Sequence, residues 1–131
     1  MNKIISLSIL LLLVLAGCVG GKGELKRVDF DNYTKNIYKT TTNEKMIKKL
    51  TNTFNEIKWD PNTEASMSRK EDVSLTLFYV IDENKPEKIY TYKVWFNEDK
   101  TATIISDNDK EGYGKLNIEN SNILKKLVNE K

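Results

Sequence analysis

The sequence predicts an α+β fold in which an antiparallel β-sheet meander carries two amphipathic helices packed on one face. Apolar residues alternate through successive segments between residues 72 and 106, which is the two-residue period of a β-strand. Apolar residues recur with helical spacing over 42–57 and again over 118–129. Each helical pattern has a single apolar stripe, so both helices are expected to pack against the same face of the sheet.

The individual elements follow in chain order. Short strands are predicted at 25–31 and 36–40, where apolar and polar residues alternate. Thr41 stands three residues before Glu44, which is the spacing of a capping box and predicts the start of the first helix. Acidic, amide and glycine residues then separate the later elements as turns. These later elements are strands at 72–82, 88–96 and 101–106, an edge strand at 113–117 and the closing helix at 118–129.

The first 17 residues have the layout of a secretory signal. Lys3 precedes an uncharged aliphatic segment, and the small residues Ala16 and Gly17 follow it. A helix over residues 4–16 would be about 20 Å long, whereas the hydrocarbon layer of a membrane is about 30 Å thick. We therefore predict a cleaved signal over residues 1–17 and not a membrane-spanning helix.

Leu15-Ala16-Gly17-Cys18 resembles the lipobox of bacterial lipoproteins. The resemblance implies cleavage between Gly17 and Cys18 and an S-diacylglyceryl group on Cys18, whose amino group is a second acylation position. The glycine-rich residues 18–24 then predict a flexible tether, and residues 25–131 a single domain. A packed thiol, a disulfide between chains and a signal cleaved without lipidation are the alternatives for Cys18. The predicted location is the extracytoplasmic face of the cell membrane.

The segments VWFNEDKTATIIS and EGYGKL resemble the C-terminal part of small lipoprotein domains from Firmicutes of the YhfM-like type. The resemblance is one of layout over residues 25–130. It implies an α+β fold and a lipoprotein at the cell surface. It implies no reaction, and it assigns no functional residue apart from Cys18.

Composition limits the possible chemistry. The chain has 21 basic and 19 acidic residues, a net charge of +2, so nucleic acid is not a predicted partner. It has no histidine, which excludes Ser-His and Cys-His nucleophilic sites and the usual zinc and copper ligand sets. No cofactor is predicted, and the domain is expected to be a monomer.

The acidic segment DNDKEG is a candidate ion site. Asp107, Asp109 and Glu111 imitate the first ligand positions of a calcium loop, but Ile118 stands where a bidentate glutamate is needed. We therefore predict a solvated turn, with a weak ion site as the alternative.

Aromatic residues concentrate on the strands of the predicted meander, where most are expected to form core. If the second face of the sheet is open, Phe78, Val80 and Trp95 would form an apolar patch for a protein or envelope polymer. The leading hypothesis is accordingly a non-catalytic binding or accessory domain anchored to the outer leaflet, and not an enzyme. The alternatives are a small surface hydrolase that uses carboxylates only and an accessory subunit of a membrane complex.

Overall fold

The structure is a computed structural model that describes residues 23–130. In this range the chain forms seven strands and two helices. The strands are β1 (Glu24–Asn32), β2 (Ile37–Thr41), β3 (Lys58–Asp60), β4 (Val73–Val80), β5 (Lys88–Phe96), β6 (Ala102–Ser106) and β7 (Tyr113–Leu116). The helices are α1 (Glu44–Asn55) and α2 (Ile118–Asn129).

One sheet joins all seven strands in the order β2-β1-β4-β5-β6-β7-β3. Every neighbouring pair is antiparallel, and β4 to β7 form the predicted meander. β1 pairs with β4, which is distant in sequence, and places Phe30 opposite Leu75. The mixed α+β class and the antiparallel meander are thus confirmed.

The hydrophobic core draws on five strands and both helices. Buried residues of β4 recur at every second position, at Val73, Leu75 and Leu77, because successive side chains point to opposite faces of a sheet. Leu50 of α1 is 1% exposed and Leu124 of α2 is 0% exposed, and both belong to the same cluster as these strand residues. The two helices therefore contribute their apolar stripes to one core.

The first helix begins two residues later than predicted. Asn43 is its N-cap, and the side-chain oxygen of Asn43 accepts a hydrogen bond from the backbone N–H of Met46 at 3.0 Å. Thr41 accepts instead from the backbone N–H of Asn43 at 3.1 Å. The predicted capping box between Thr41 and Glu44 is therefore wrong, because asparagine lies closer to the first helical turn and caps it equally well.

The second helix is held at both ends. Asn117 is the N-cap and accepts from the backbone N–H of Asn120 at 2.9 Å. At the other end, Lys39 of β2 donates to the carbonyl oxygens of Leu127 and Glu130 at 2.6 and 2.5 Å. A lysine at this position satisfies carbonyls that have no partner within the helix and offsets the negative end of the helix dipole.

One strand was not predicted, and it changes the edge of the sheet. Lys58–Asp60 pairs antiparallel with β7, with Trp59 opposite Gly114. The prediction that residues 113–117 form the edge is therefore wrong, since β7 lies between β6 and β3.

The predicted signal, the cleavage position at Gly17, the lipid attachment at Cys18 and most of the tether lie outside the described residues. Within residues 23–130, neither helix has the length and apolar character that crossing a bilayer requires.

Candidate functional site

A buried glutamate stands at the centre of the candidate site. Glu111 lies between β6 and β7, and only 8% of it is exposed. Its Oε1 atom accepts a hydrogen bond from the hydroxyl of Tyr92 at 2.8 Å and another from the hydroxyl of Ser106 at 2.9 Å. A carboxylate is rarely buried without partners, so these two hydroxyls account for its place in the interior.

The turn that precedes Glu111 directs its side chain inwards. The backbone N–H groups of Glu111 and Gly112 both donate to the carbonyl of Asn108, at 2.9 and 3.0 Å. Gly112 then adopts a φ of +67°, a conformation that favours glycine. The carbonyl of Gly112 accepts from the backbone N–H of Ser106 at 2.8 Å, which closes the turn. The carboxylate thus comes from a hydrogen-bonded turn that returns the chain to the sheet.

Aromatic rings hold Tyr92 in position from the opposite side. Tyr92 is fully buried, and its ring makes an edge contact with Phe54 of α1 at a centroid distance of 4.9 Å. Trp59 of β3 lies 6.0 Å from the same ring. The indole of Trp59 packs over Gly114, where a Cβ atom would lie 2.6 Å from the Trp59 ring. Gly114 is therefore required for Trp59 to approach the sheet.

Glu111 lines a cavity of about 390 Å³ between α1 and the sheet. Its lining is polar and apolar in about equal parts. The apolar part consists of side chains from β1, α1, β3 and β4, with Ile57 between α1 and β3: Leu25, Phe54, Ile57, Trp59 and Leu77. The volume lies within the range of small-molecule sites.

The exposed members of the lining mark the mouth of the cavity. Gly23, at the start of the described chain, and Thr51 and Asn55 of α1 line the cavity and are exposed. Glu111 is buried, so its carboxylate lies deeper than these residues. A ligand that enters past α1 would therefore meet apolar walls before the carboxylate.

Tyr79 also lines this cavity. Burial, together with the negative charge of Glu111, raises the pKa of Tyr79 to about 12. Burial and the hydrogen bond to Glu111 also raise the pKa of Tyr92 above its usual value of 10.0. Both phenols therefore keep their protons at neutral pH and can act as hydrogen-bond donors.

The predicted ion-site residues are separated in the structure. Asp107 is exposed, and its carboxylate accepts from the backbone N–H of Thr91 at 2.9 Å. Asp109 is exposed, whereas Glu111 points to the interior. No group of three or more potential metal-ligating side chains occurs within the part of the chain that the structure describes.

The structure does not bring the predicted partner patch together. Phe78 pairs with Ile89, so it lies six residues along β5 from Trp95, or about 20 Å at the rise of a strand. Trp95 is 4% exposed, and its indole N–H donates to the carbonyl of Arg69 at 2.9 Å. The guanidinium of Arg27 covers the ring of Phe78 at 3.8 Å. Phe78 and Val80 remain partly accessible, but they form no continuous surface with Trp95.

A wider groove of about 680 Å³ runs between the two helices. Its lining is largely exposed and consists mostly of charged and amide side chains, among them Lys49, Glu56 and Glu119. No titratable group is buried in this lining. The smaller cavity at Glu111 is therefore the stronger candidate for chemistry.

Sequence reasoning expected most aromatic residues of the meander to form core, and it missed the link of Tyr79 and Tyr92 to Glu111. The alternation of β4 and β5 placed both tyrosines on the buried face, which was the available signal. The pairing of a hydroxyl at position 92 with a carboxylate 19 residues later depends on the turn before Gly112, which the local pattern does not specify.

The chain matches no protein-family model and no curated protein. Among solved structures it is similar to a thioesterase-like protein from Clostridium sporogenes, with a TM-score of 0.54 and 18% identity. The match covers 82% of this chain and 96% of that one. At this identity the likeness shows a shared fold.

The comparison contradicts the prediction of a non-catalytic domain that is not an enzyme. That prediction relied on the absence of histidine and on the small size of the domain. A buried carboxylate can serve as a base without histidine, and the cavity at Glu111 fits within a domain of this size. The alternative hypothesis, a small hydrolase that uses carboxylates only, fits the fold and the cavity better.

Proposed function

We propose that this protein hydrolyses an ester or thioester of an apolar acyl group, with Glu111 as the general base. The observation that carries the proposal is the buried carboxylate of Glu111 at the side of a cavity that is partly lined by apolar side chains. A base must lie within reach of the water that it activates, and its surroundings must exclude bulk solvent. The apolar walls provide these surroundings.

In the proposed reaction, Glu111 takes a proton from a water molecule as the water oxygen attacks the acyl carbonyl carbon. The tetrahedral intermediate then collapses, the bond from carbon to sulfur or oxygen breaks, and the proton passes from Glu111 to the leaving group. The products are a carboxylic acid and a thiol or alcohol, and Glu111 returns to its original state.

Tyr92 and Ser106 act as positioning residues in this scheme. Their hydroxyls donate to one carboxylate oxygen of Glu111 at 2.8 and 2.9 Å and so fix the orientation of the carboxylate group. Tyr79 is the proposed donor to the oxyanion, because this residue lines the cavity and its raised pKa of about 12 keeps the phenol protonated. A preorganised donor of this kind lowers the barrier where negative charge develops.

The apolar walls favour an acyl group as the part of the substrate that enters the cavity. Leu25, Ile57 and Leu77 are buried aliphatic residues, and Phe54 and Trp59 add aromatic surface. Burial of a methylene group contributes about 0.8 kcal/mol.

We further infer that α1 and α2 cover the same face of the sheet and that α1 forms the roof of the cavity. The common cluster of Leu50, Leu124, Leu75 and Tyr92 supports this arrangement, as do the contacts between the two helices. The lipobox resemblance supports a location at the extracytoplasmic face of the membrane, with Cys18 as the anchor.

The test is hydrolysis of short-chain and medium-chain acyl thioesters and p-nitrophenyl esters by the purified protein. We expect wild type to hydrolyse at least one series. Glu111→Gln should reduce kcat by about 100-fold or more, since general-base catalysis contributes about 10²–10⁴-fold. The amide oxygen of glutamine still accepts from Tyr92 and Ser106, so the fold is expected to survive.

Asp109→Asn is the matched control. It removes a carboxylate from the same turn, but Asp109 is exposed and does not line the cavity. Its rate should equal that of wild type. A Glu111→Gln variant that is folded by thermal melting and as active as wild type would refute the proposed role of Glu111.

A further inference from the structure

We propose that Gly114 sets the length of the acyl group that the cavity accepts, because it lets Trp59 and Ile57 lie close against the sheet. This inference rests on the proposed function and extends it to the specificity of the same site. Trp59 and Ile57 line the cavity together with Glu111, whereas Gly114 lies beneath them. A residue outside the lining would thus control the space beside the proposed base.

Gly114 is the point at which the side chain of Trp59 crosses β7. The two residues are paired between β3 and β7, and β3 lies three strands away from β5. Three strand spacings amount to about 14 Å, but the rings of Trp59 and Tyr92 are 6.0 Å apart. The indole therefore extends from the edge of the sheet over β7 and towards β5, and it passes directly over Gly114.

The space over Gly114 is filled. A Cβ atom at position 114 would lie 2.5 Å from the Cγ2 atom of Ile57, and 2.6 and 2.8 Å from two atoms of the six-membered ring of Trp59. Carbon atoms in contact are about 3.5–4.0 Å apart, so both side chains would have to move by about 1 Å. The φ angle of Gly114 is not positive, so its backbone suits alanine. The effect of an added methyl group would therefore come from these neighbours.

The cavity is the space that the displaced side chains would enter. The sheet lies beneath them, and the fully buried ring of Tyr92 limits movement of the indole along the sheet. Ile57 is 7% exposed, and a close-packed interior offers little other room. The cavity borders both residues and lies on their open side, between the sheet and α1. A methyl group at position 114 would therefore narrow the cavity.

The expected consequence is a change in the preferred length of the acyl chain. Gly114→Ala should shorten the preferred chain by about one or two carbons, since interiors respond to a single added methylene. Each carbon that no longer fits should lower kcat/KM by about four-fold, which corresponds to about 0.8 kcal/mol for a buried methylene. Trp59→Leu removes the ring atoms over Gly114 and should shift the preference towards longer chains.

The experiment measures two series of compounds on wild type and variants. The first is p-nitrophenyl esters from butyrate to myristate, and its readout is the ratio of kcat/KM between chain lengths. The second is straight-chain methyl ketones of matching lengths, which are not hydrolysed. Its readout is the rise in melting temperature that each ketone produces, since a ligand of the folded state stabilises that state. A general loss of stability would lower all rates alike and leave the ratios unchanged.

Leu116→Val is the matched control. Leu116 is buried on the same face of β7, two residues beyond Gly114, but it does not line the cavity. This variant should lose stability and keep the chain-length preference of wild type. Gly114→Ala combined with Trp59→Leu should regain part of the preference for longer chains, because the added methyl group no longer meets the indole.

An unchanged preference of Gly114→Ala in both series would overturn the inference, even where the esters are hydrolysed and the proposed function holds. An equal shift in Leu116→Val would overturn it as well. If Gly114→Ala does not fold, the absence of a shift to longer chains in Trp59→Leu has the same consequence. A shift in the ketone series without hydrolysis of any ester would support the role of Gly114 and refute the proposed function.

Discussion

The hydroxyl of Tyr92 is predicted to stabilise the fold through its hydrogen bond to Glu111. Tyr92→Phe removes this hydroxyl and preserves the ring, including its edge contact with Phe54. A hydrogen bond to a charged group contributes about 1.5–3 kcal/mol. Ser106 continues to donate to the same carboxylate oxygen, so we expect a loss of about 2 kcal/mol.

Urea denaturation of a soluble chain that begins at Gly23 measures this loss, because every described strand and helix lies within that chain. With a slope of about 2 kcal/mol per molar urea, the midpoint should fall by about 1 M. Tyr38→Phe is the control: Tyr38 is 68% exposed, so its change should stay within about 0.5 kcal/mol.

The effect of Tyr92→Phe should also depend on pH. Burial raises the pKa of Tyr92 above 10.0. The contribution of the protonated hydroxyl to stability is therefore present in full below pH 10, and it is lost as the pH rises through the pKa of Tyr92 in the folded state. Wild type and variant should therefore converge in stability under alkaline conditions. A variant as stable as wild type at pH 7 would refute the account of the Glu111 cluster.

Three further changes test the rest of the fold. Leu50→Ala should cost about 2–5 kcal/mol in urea denaturation, because Leu50 is 1% exposed in the core; an unchanged midpoint would contradict this. Lys39→Met should lower stability by about 0.3–2 kcal/mol in thermal unfolding through the loss of its contacts at the end of α2, and added salt should reduce the difference. Burial opposes the ionisation of Asp72, but hydrogen bonds and the charge of Arg69 outweigh burial and lower the pKa of Asp72 below 3.8. Asp72→Asn should therefore destabilise the protein at pH 7. The difference in stability from wild type should shrink as the pH falls through the pKa of Asp72.

The parts of the fold that the sequence predicts best have strong local patterns. β5 and α2 have the bounds expected from alternation and from helical spacing, respectively. The start of α1 was misplaced because Thr41 and Asn43 are both good N-caps, and only the helix geometry selects between them. β3 was missed because three residues are too few to show the alternation of apolar and polar residues that identifies a strand. Its strand conformation depends on pairing with β7.

Only part of the candidate site could be predicted from the sequence. Glu111 was predicted to lie in a solvated turn, with a weak ion site as the alternative, but the positive φ of Gly112 and the hydrogen bond to Tyr92 place its side chain in the interior. The polar residues of a turn predict that its backbone is exposed, but they do not predict the direction in which each side chain points. The functional hypothesis of a non-catalytic domain failed for the same reason, since the cavity forms from residues of three separate strands, a helix and the turn at Glu111.

A crystal structure of Glu111→Gln with an intact acyl thioester tests the central claim most directly. The variant should bind the substrate without hydrolysing it. We expect the acyl chain along Phe54 and Trp59, and the carbonyl carbon close to the side chain of residue 111 with room for one water molecule between them. An acyl chain bound in the groove between the two helices, with the cavity at residue 111 unchanged, would contradict the account.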